Sequence, residues 1–74
     1  MKFTKLSEEQ KTYGIEVKLL ITYEELDKCS NREFDNFYEG TRKKLGCILP
    51  SIQTGARPDG IILIFSGCST PGNL

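Results

Sequence analysis

Five consecutive apolar residues, Ile61 to Phe65, constrain this chain more than any other feature. Successive side chains of a β-strand point to opposite faces. In "IILIF" that sets Ile61, Leu63 and Phe65 on one side and Ile62 and Ile64 on the other. A short run that is apolar on both sides reads as a central strand with both faces buried. The chain has only 74 residues with which to cover it. A domain of this size buries only about 60% of the surface that its unfolded form exposes.

The remaining segments supply partial cover. "KFTKL" is a short edge-strand candidate, and "SEEQKT" reads as a polar connection with room for one helical turn. In "YGIEVKLLI", residues 13–21, Tyr13, Ile15, Val17, Leu19 and Ile21 alternate with Glu16 and Lys18. Period two with one polar face predicts a half-buried strand. Two capping boxes follow, Thr22 with Glu25 and Ser30 with Glu33, in which hydroxyl and carboxylate satisfy free backbone N–H groups reciprocally. They predict a short helix over 23–29 and a principal helix over 31–45. The latter carries an apolar stripe of Phe34, Phe37, Tyr38 and Leu45, with Thr41 on the same side. Gly46 stands where a left-handed C-terminal cap belongs. Gly40, inside the helix, is expected to admit a close backbone neighbour. "CILPSI" is a strand candidate whose Pro50 confines it to an edge or a strand end. "QTGARPDG" reads as a loop turning at Pro58-Asp59-Gly60.

The expected fold is α+β: a small three- to four-stranded, mainly antiparallel sheet packed on one principal helix at about 31–45. Residues 1–68 form a single domain, and 69–74 an irregular C-terminal tail. One helix covers one face of such a sheet. The second face of the Ile61–Phe65 strand then needs the 23–29 helix, the tail or, most economically, a second copy of the chain. A homo-oligomer is therefore expected.

Cys29, Cys47 and Cys68 are an odd, sparse set with no C-x-x-C pair. They read as free thiols in a reducing compartment. With no histidine in the chain, three scattered cysteines fall short of a tetrahedral zinc set. No metal or other cofactor is expected. Met1 to Gln10 lacks the apolar core of a signal peptide, and no apolar run approaches the roughly 20 residues of a membrane span. The expectation is a soluble, cytoplasmic protein with no membrane association.

Ten basic and ten acidic residues cancel, so the overall field does not favour nucleic acid. The charge is nevertheless uneven. Residues 1–41 carry net −3 and residues 42–74 net +3, the cations being Arg42, Lys43, Lys44 and Arg57. Arg42, Lys43 and Lys44 can grip a phosphate or an acidic partner, and they equally complement the negative end of a helix dipole. "SIQTGARPDG" offers Ser51, Gln53, Thr54 and Arg57 as an anion-binding set beside Gly55. It matches neither G-x-x-x-x-G-K-[ST] nor G-x-G-x-x-G, and an exposed hairpin loop explains it as well. Cys68 follows a strand, a position that suits a nucleophile, but no histidine stands ready to activate it. Cys29 and Cys47 read as packing residues. The acidic clusters at Glu8-Glu9, Glu24 to Asp27 and Glu33 to Glu39 read mainly as solvated surface. Phe34, Phe37 and Tyr38 belong to the buried stripe and Phe3, Tyr13 and Phe65 to the sheet. Tyr23 is left as the one exposed ring, so no base-stacking platform is expected.

These readings exclude the common catalytic arrangements. They favour a small non-catalytic binding protein that acts by occupancy, sequestering or inhibiting a partner macromolecule. Its size and lack of catalytic apparatus are shared with stand-alone inhibitors, among them bacteriophage proteins that disarm host defences. The competing expectation is a homo-oligomer that sequesters a nucleotide or other phosphate ligand where the cations of neighbouring chains meet.

Overall fold

The computed structural model describes residues 1–70. Strand β1 (Thr4–Lys11) and β2 (Gly14–Thr22) lead into helices α1 (Tyr23–Lys28) and α2 (Asn31–Leu45), and strands β3 (Leu49–Arg57) and β4 (Gly60–Cys68) follow. The strands form one antiparallel sheet in the order β1-β2-β4-β3. The helices carry the chain across the sheet to its far edge, and β4 then returns to the middle. The α+β class and the principal helix are as the sequence implies. The strand with apolar residues on both faces takes a central position, where neighbours on both sides shield it.

Both helix starts use the hydroxyls read from the sequence. Thr22 Oγ1 accepts from the Glu25 N–H at 3.2 Å, and Ser30 Oγ from the Glu33 N–H at 3.1 Å. The Asp59 carbonyl also accepts from the Tyr23 N–H at 2.9 Å, tying the β3–β4 turn to the start of α1. Gly46 closes α2 in the left-handed region, at φ 67°. There the absence of Cβ removes the penalty that other residues would carry. Ser69 and Thr70 add to this cap. Their N–H groups both donate to the Leu45 carbonyl, and Thr70 Oγ1 donates to the carbonyls of Lys44 and Leu45. The start of the expected tail is thus a helix clamp, and residues 71–74 lie outside the described residues.

The core lies between α2 and one face of the sheet. Val17, Leu19 and Ile21 from β2 meet Ile61, Leu63 and Phe65 from β4, closed by Leu45, Cys47 and Cys68. Phe3 packs against Phe37 and Tyr38 against Phe65, with ring centroids 5.6 and 5.5 Å apart. Full burial of one such side chain contributes about 1.5–3 kcal/mol. At the end of β4 the register with β2 shifts between Val17 and Ile15, and Gly67 takes φ 66°. The left-handed residue allows a bulge, beyond which Cys68 is buried in the core.

Several expectations change. "SEEQK" is strand, not a connection: β1 runs on to Lys11 because β2 is long enough to pair with all of it. "QTGAR" is strand as well, with a break in register between Gln53 and Arg57, so that only Pro58 and Asp59 turn the hairpin. Tyr13 is exposed, as Tyr23 is, because Tyr13 falls in the β1–β2 turn. Gly40 has nothing within 4 Å of the position its Cβ would take, so it makes no close approach.

The cysteines depart furthest from expectation. Cys47 and Cys68 form a disulfide across 21 residues of sequence, leaving Cys29 as the free thiol. The α2 cap and the β4 bulge bring two distant positions together, which spacing could not reveal. Disulfides persist in oxidising compartments, so the free-thiol argument for a reducing one no longer holds.

The second face of β4 also differs. Ile62 retains 8% and its cross-strand neighbour Leu20 6% of their accessible surface within a single chain, and only Ile64 is half-buried. Leu20 lies in a cleft walled by Lys2, Thr4, Thr22, Glu24 and Lys28, and Ile62 stands between Leu20 and Gln53 in the register. The chain shields most of this strand itself, which removes the reason for which a second copy was expected. No helix among the described residues is long and apolar enough to cross a membrane.

Candidate functional site

The predicted site residues separate into two groups at opposite ends of the sheet. Arg42, Lys43 and Lys44 occupy the last turn of α2, beside the disulfide and the start of β3. Arg57 ends β3, paired with Gly60. Arg57 lies eight residue steps along β3 from Leu49, a span of roughly 26 Å at the usual rise. Within one chain the cations therefore do not converge on a ligand, and a phosphate site built from them would require a second chain. Ser51, Gln53 and Thr54 are exposed along β3, with Ser51 opposite Ile64 and Gln53 opposite Ile62.

Two of the four cations are already engaged. Arg42 donates from both Nε and Nη2 to Glu39 Oε2, at 3.1 and 2.9 Å. Arg57 Nε donates to Asp59 Oδ1 at 3.3 Å. Lys43 and Lys44 are exposed and form no ion pair among the described residues. Cys68 carries no thiol, so it offers no nucleophile. No group of three or more His, Cys, Asp or Glu side chains comes together among the described residues.

β3, which Pro50 assigned to an edge or a strand end, lies at the edge of the sheet with its apolar residues exposed. No residue of β3 is buried. Ile48, Leu49 and Ile52 remain 74%, 62% and 46% exposed. Ile52 is paired with Leu63 and Pro50 with Phe65, both of which are core residues. Ile52 therefore belongs to the helix-covered face, yet α2 does not extend far enough to bury it. The aromatic rings of α2 reach Phe3 and Phe65 and bury nothing on β3. The sequence signals were Pro50, which marks an edge, and the apolar Ile48, Leu49 and Ile52 around it, whose exposure no local pattern shows.

The opposite edge is different in kind. On β1, Lys5 pairs with Glu8 at 3.0 Å and Lys11 with Glu9 at 2.9 Å. The Lys11 hydrogen bond and charge hold the Glu9 carboxyl below its ordinary range, and Glu9 in turn raises Lys11. Charged side chains on an edge discourage further strand pairing. β3 has instead one proline, one register break and an apolar flank.

A cleft of about 360 Å³ lies between the N-terminal segment and α1, floored by Phe3 and Leu20. Its polar groups largely satisfy one another: Glu25 Oε1 accepts from the Lys2 backbone N–H at 3.1 Å, Thr22 caps α1, and Lys28 stands 3.6 Å from Glu24. Comparison with known protein families, curated proteins and solved structures gives no match to this chain.

Proposed function

We propose that this protein is a non-catalytic binding module that acts by occupancy, sequestering or blocking a partner macromolecule that it meets along β3. The observation that supports this reading is the exposure of Leu49 and Ile52 on a strand with no buried residue, with Ile48 exposed just before it. Exposed apolar side chains grouped on a sheet edge are a common feature of interaction sites. The separation of the cations within one chain weighs against a phosphate pocket as the primary site.

Site-specific photo-crosslinking tests the proposal. A photoreactive residue replacing Ile52 is expected to give a discrete adduct in extracts of the source cells, and unlabelled protein should compete it away. The same residue at Gly40, which is exposed on α2, should give none. Equal labelling from both positions, or no adduct from position 52, would overturn the reading. So would a rise in melting temperature with nucleotide following RT ln(1+[L]/Kd), which would favour a small-molecule binder.

A further inference from the structure

We infer that the partner presents an extended segment that is both apolar and acidic, laid along the outer side of β3 with its carboxylates near the end of α2. The inference rests on the occupancy reading and specifies the chemistry of what occupies the site.

Extension follows from the sheet order. β3 is an edge strand, and its outer side has no neighbouring strand among the described residues. Adding a strand at such an edge satisfies backbone groups, while alternate side chains provide specificity. Pro50 and the break beyond Gln53 limit regular pairing, so apolar contacts must carry part of the affinity, at Ile52 on the helix-covered face and at Leu49, opposite Ser66, on the other.

Acidity follows from charge. Residues 40–58 contain no Asp or Glu. Arg42 and Arg57 are committed to Glu39 and Asp59. Lys43 and Lys44 remain exposed and unpaired among the described residues, immediately before the apolar strip. An acidic segment there can pair with Lys43 and Lys44, and the nearest acid along α2, Glu39, is engaged by Arg42.

Neither edge of a second copy fits as well. Antiparallel self-pairing of β3 would carry the Arg57 end of each chain toward the Lys43–Lys44 end of the other, and the one carboxylate there, Asp59, is already engaged by Arg57. The acids of β1 are engaged with Lys5 and Lys11. Nucleic acid would find cations here, but the apolar residues of the strip are aliphatic and offer no ring for base stacking.

The probe is a short synthetic peptide of alternating valine and threonine led by a run of glutamates, so that pairing parallel to β3 sets its carboxylates beside the end of α2. Its controls are led by lysines or carry N-methylated alternate amides. Binding to the full chain is followed by amide NMR. The glutamate-led peptide is expected to shift Ser51 to Thr54 and leave β1 unmoved, and N-methylation should abolish this. K43Q/K44Q is expected to weaken binding roughly fivefold, as two exposed ion pairs imply. I52K should remove it while the near-UV circular dichroism of the core aromatics stays unchanged.

Equal binding by the lysine-led peptide would overturn the charge assignment, and indifference to N-methylation the extended mode. Shifts confined to other strands would overturn the location. A concentration-dependent dimer that excludes the peptide would assign β3 to a second copy. Tighter, steeply salt-dependent binding of a single-stranded oligonucleotide at the same amides would assign it to nucleic acid. A crosslinked partner at position 52 with no peptide binding would sink this inference and leave the occupancy reading intact. Failure of both experiments would sink both.

Discussion

Opening the Cys47–Cys68 disulfide should remove a large part of the stability of this domain. The bond closes a loop spanning 21 residues of sequence. Chain entropy assigns such a cross-link about 11 cal/mol/K, or about 3.3 kcal/mol at 25 °C. A 74-residue chain has about 4–11 kcal/mol in total at the usual stability per residue. Reduction therefore removes between a third and most of it. With a urea slope of about 1 kcal/mol/M for so small a domain, the unfolding midpoint should fall by roughly 3 M. The assay is urea unfolding followed by circular dichroism, with and without a non-thiol reductant, and with C47A/C68A as a second form of the open chain. A midpoint shift below about 0.5 M would refute the reasoning, since loop closure alone demands more. A thiol titration of the unreduced protein in denaturant should find one thiol, Cys29. Finding three would show that the bond does not form.

Three further outcomes follow from local geometry. G40A should stabilise the protein by about 1 kcal/mol in thermal or urea unfolding, because Gly40 is an exposed helical residue with open space around it. S30A should cost about 1 kcal/mol through loss of the bond to the Glu33 N–H; no change in midpoint would count against that cap. Burial, and secondarily the charge of Glu39, raise the Tyr38 hydroxyl above its ordinary value of 10.0. The folded state then holds its proton longer than the unfolded state. The contribution is complete below pH 10 and is lost as pH rises beyond it. Ultraviolet titration should show one tyrosine ionising late in native protein, and Y38F should flatten the alkaline fall in stability.

Local signals in the sequence foretold the elements whose causes are themselves local. Thr22 and Ser30 mark helix starts because a capping hydroxyl acts on an amide three residues away. Gly46 marks a helix end because only its own backbone conformation is at issue. The Ile61–Phe65 run identifies a central strand, since nothing but burial on both faces accommodates it. The candidate site was far less legible. Ser51, Gln53, Thr54 and Arg57 read as a loop because Gly55 and Pro58 are turn formers. Pairing with β4 nevertheless draws most of that stretch into a strand, with a register break to absorb the misfit.

The sequence by itself determined the class of fold, the extent of the main helix and the uneven division of charge, all of which arise from neighbours along the chain. Tertiary structure alone decided that Cys47 meets Cys68, that Leu20 and Ile62 are shielded without a second molecule, and that α2 stops short of Ile52. Each of these depends on how far a helix reaches across a sheet and which strand lies at its rim. Those distances are fixed by packing among residues remote in sequence, and no local pattern encodes them.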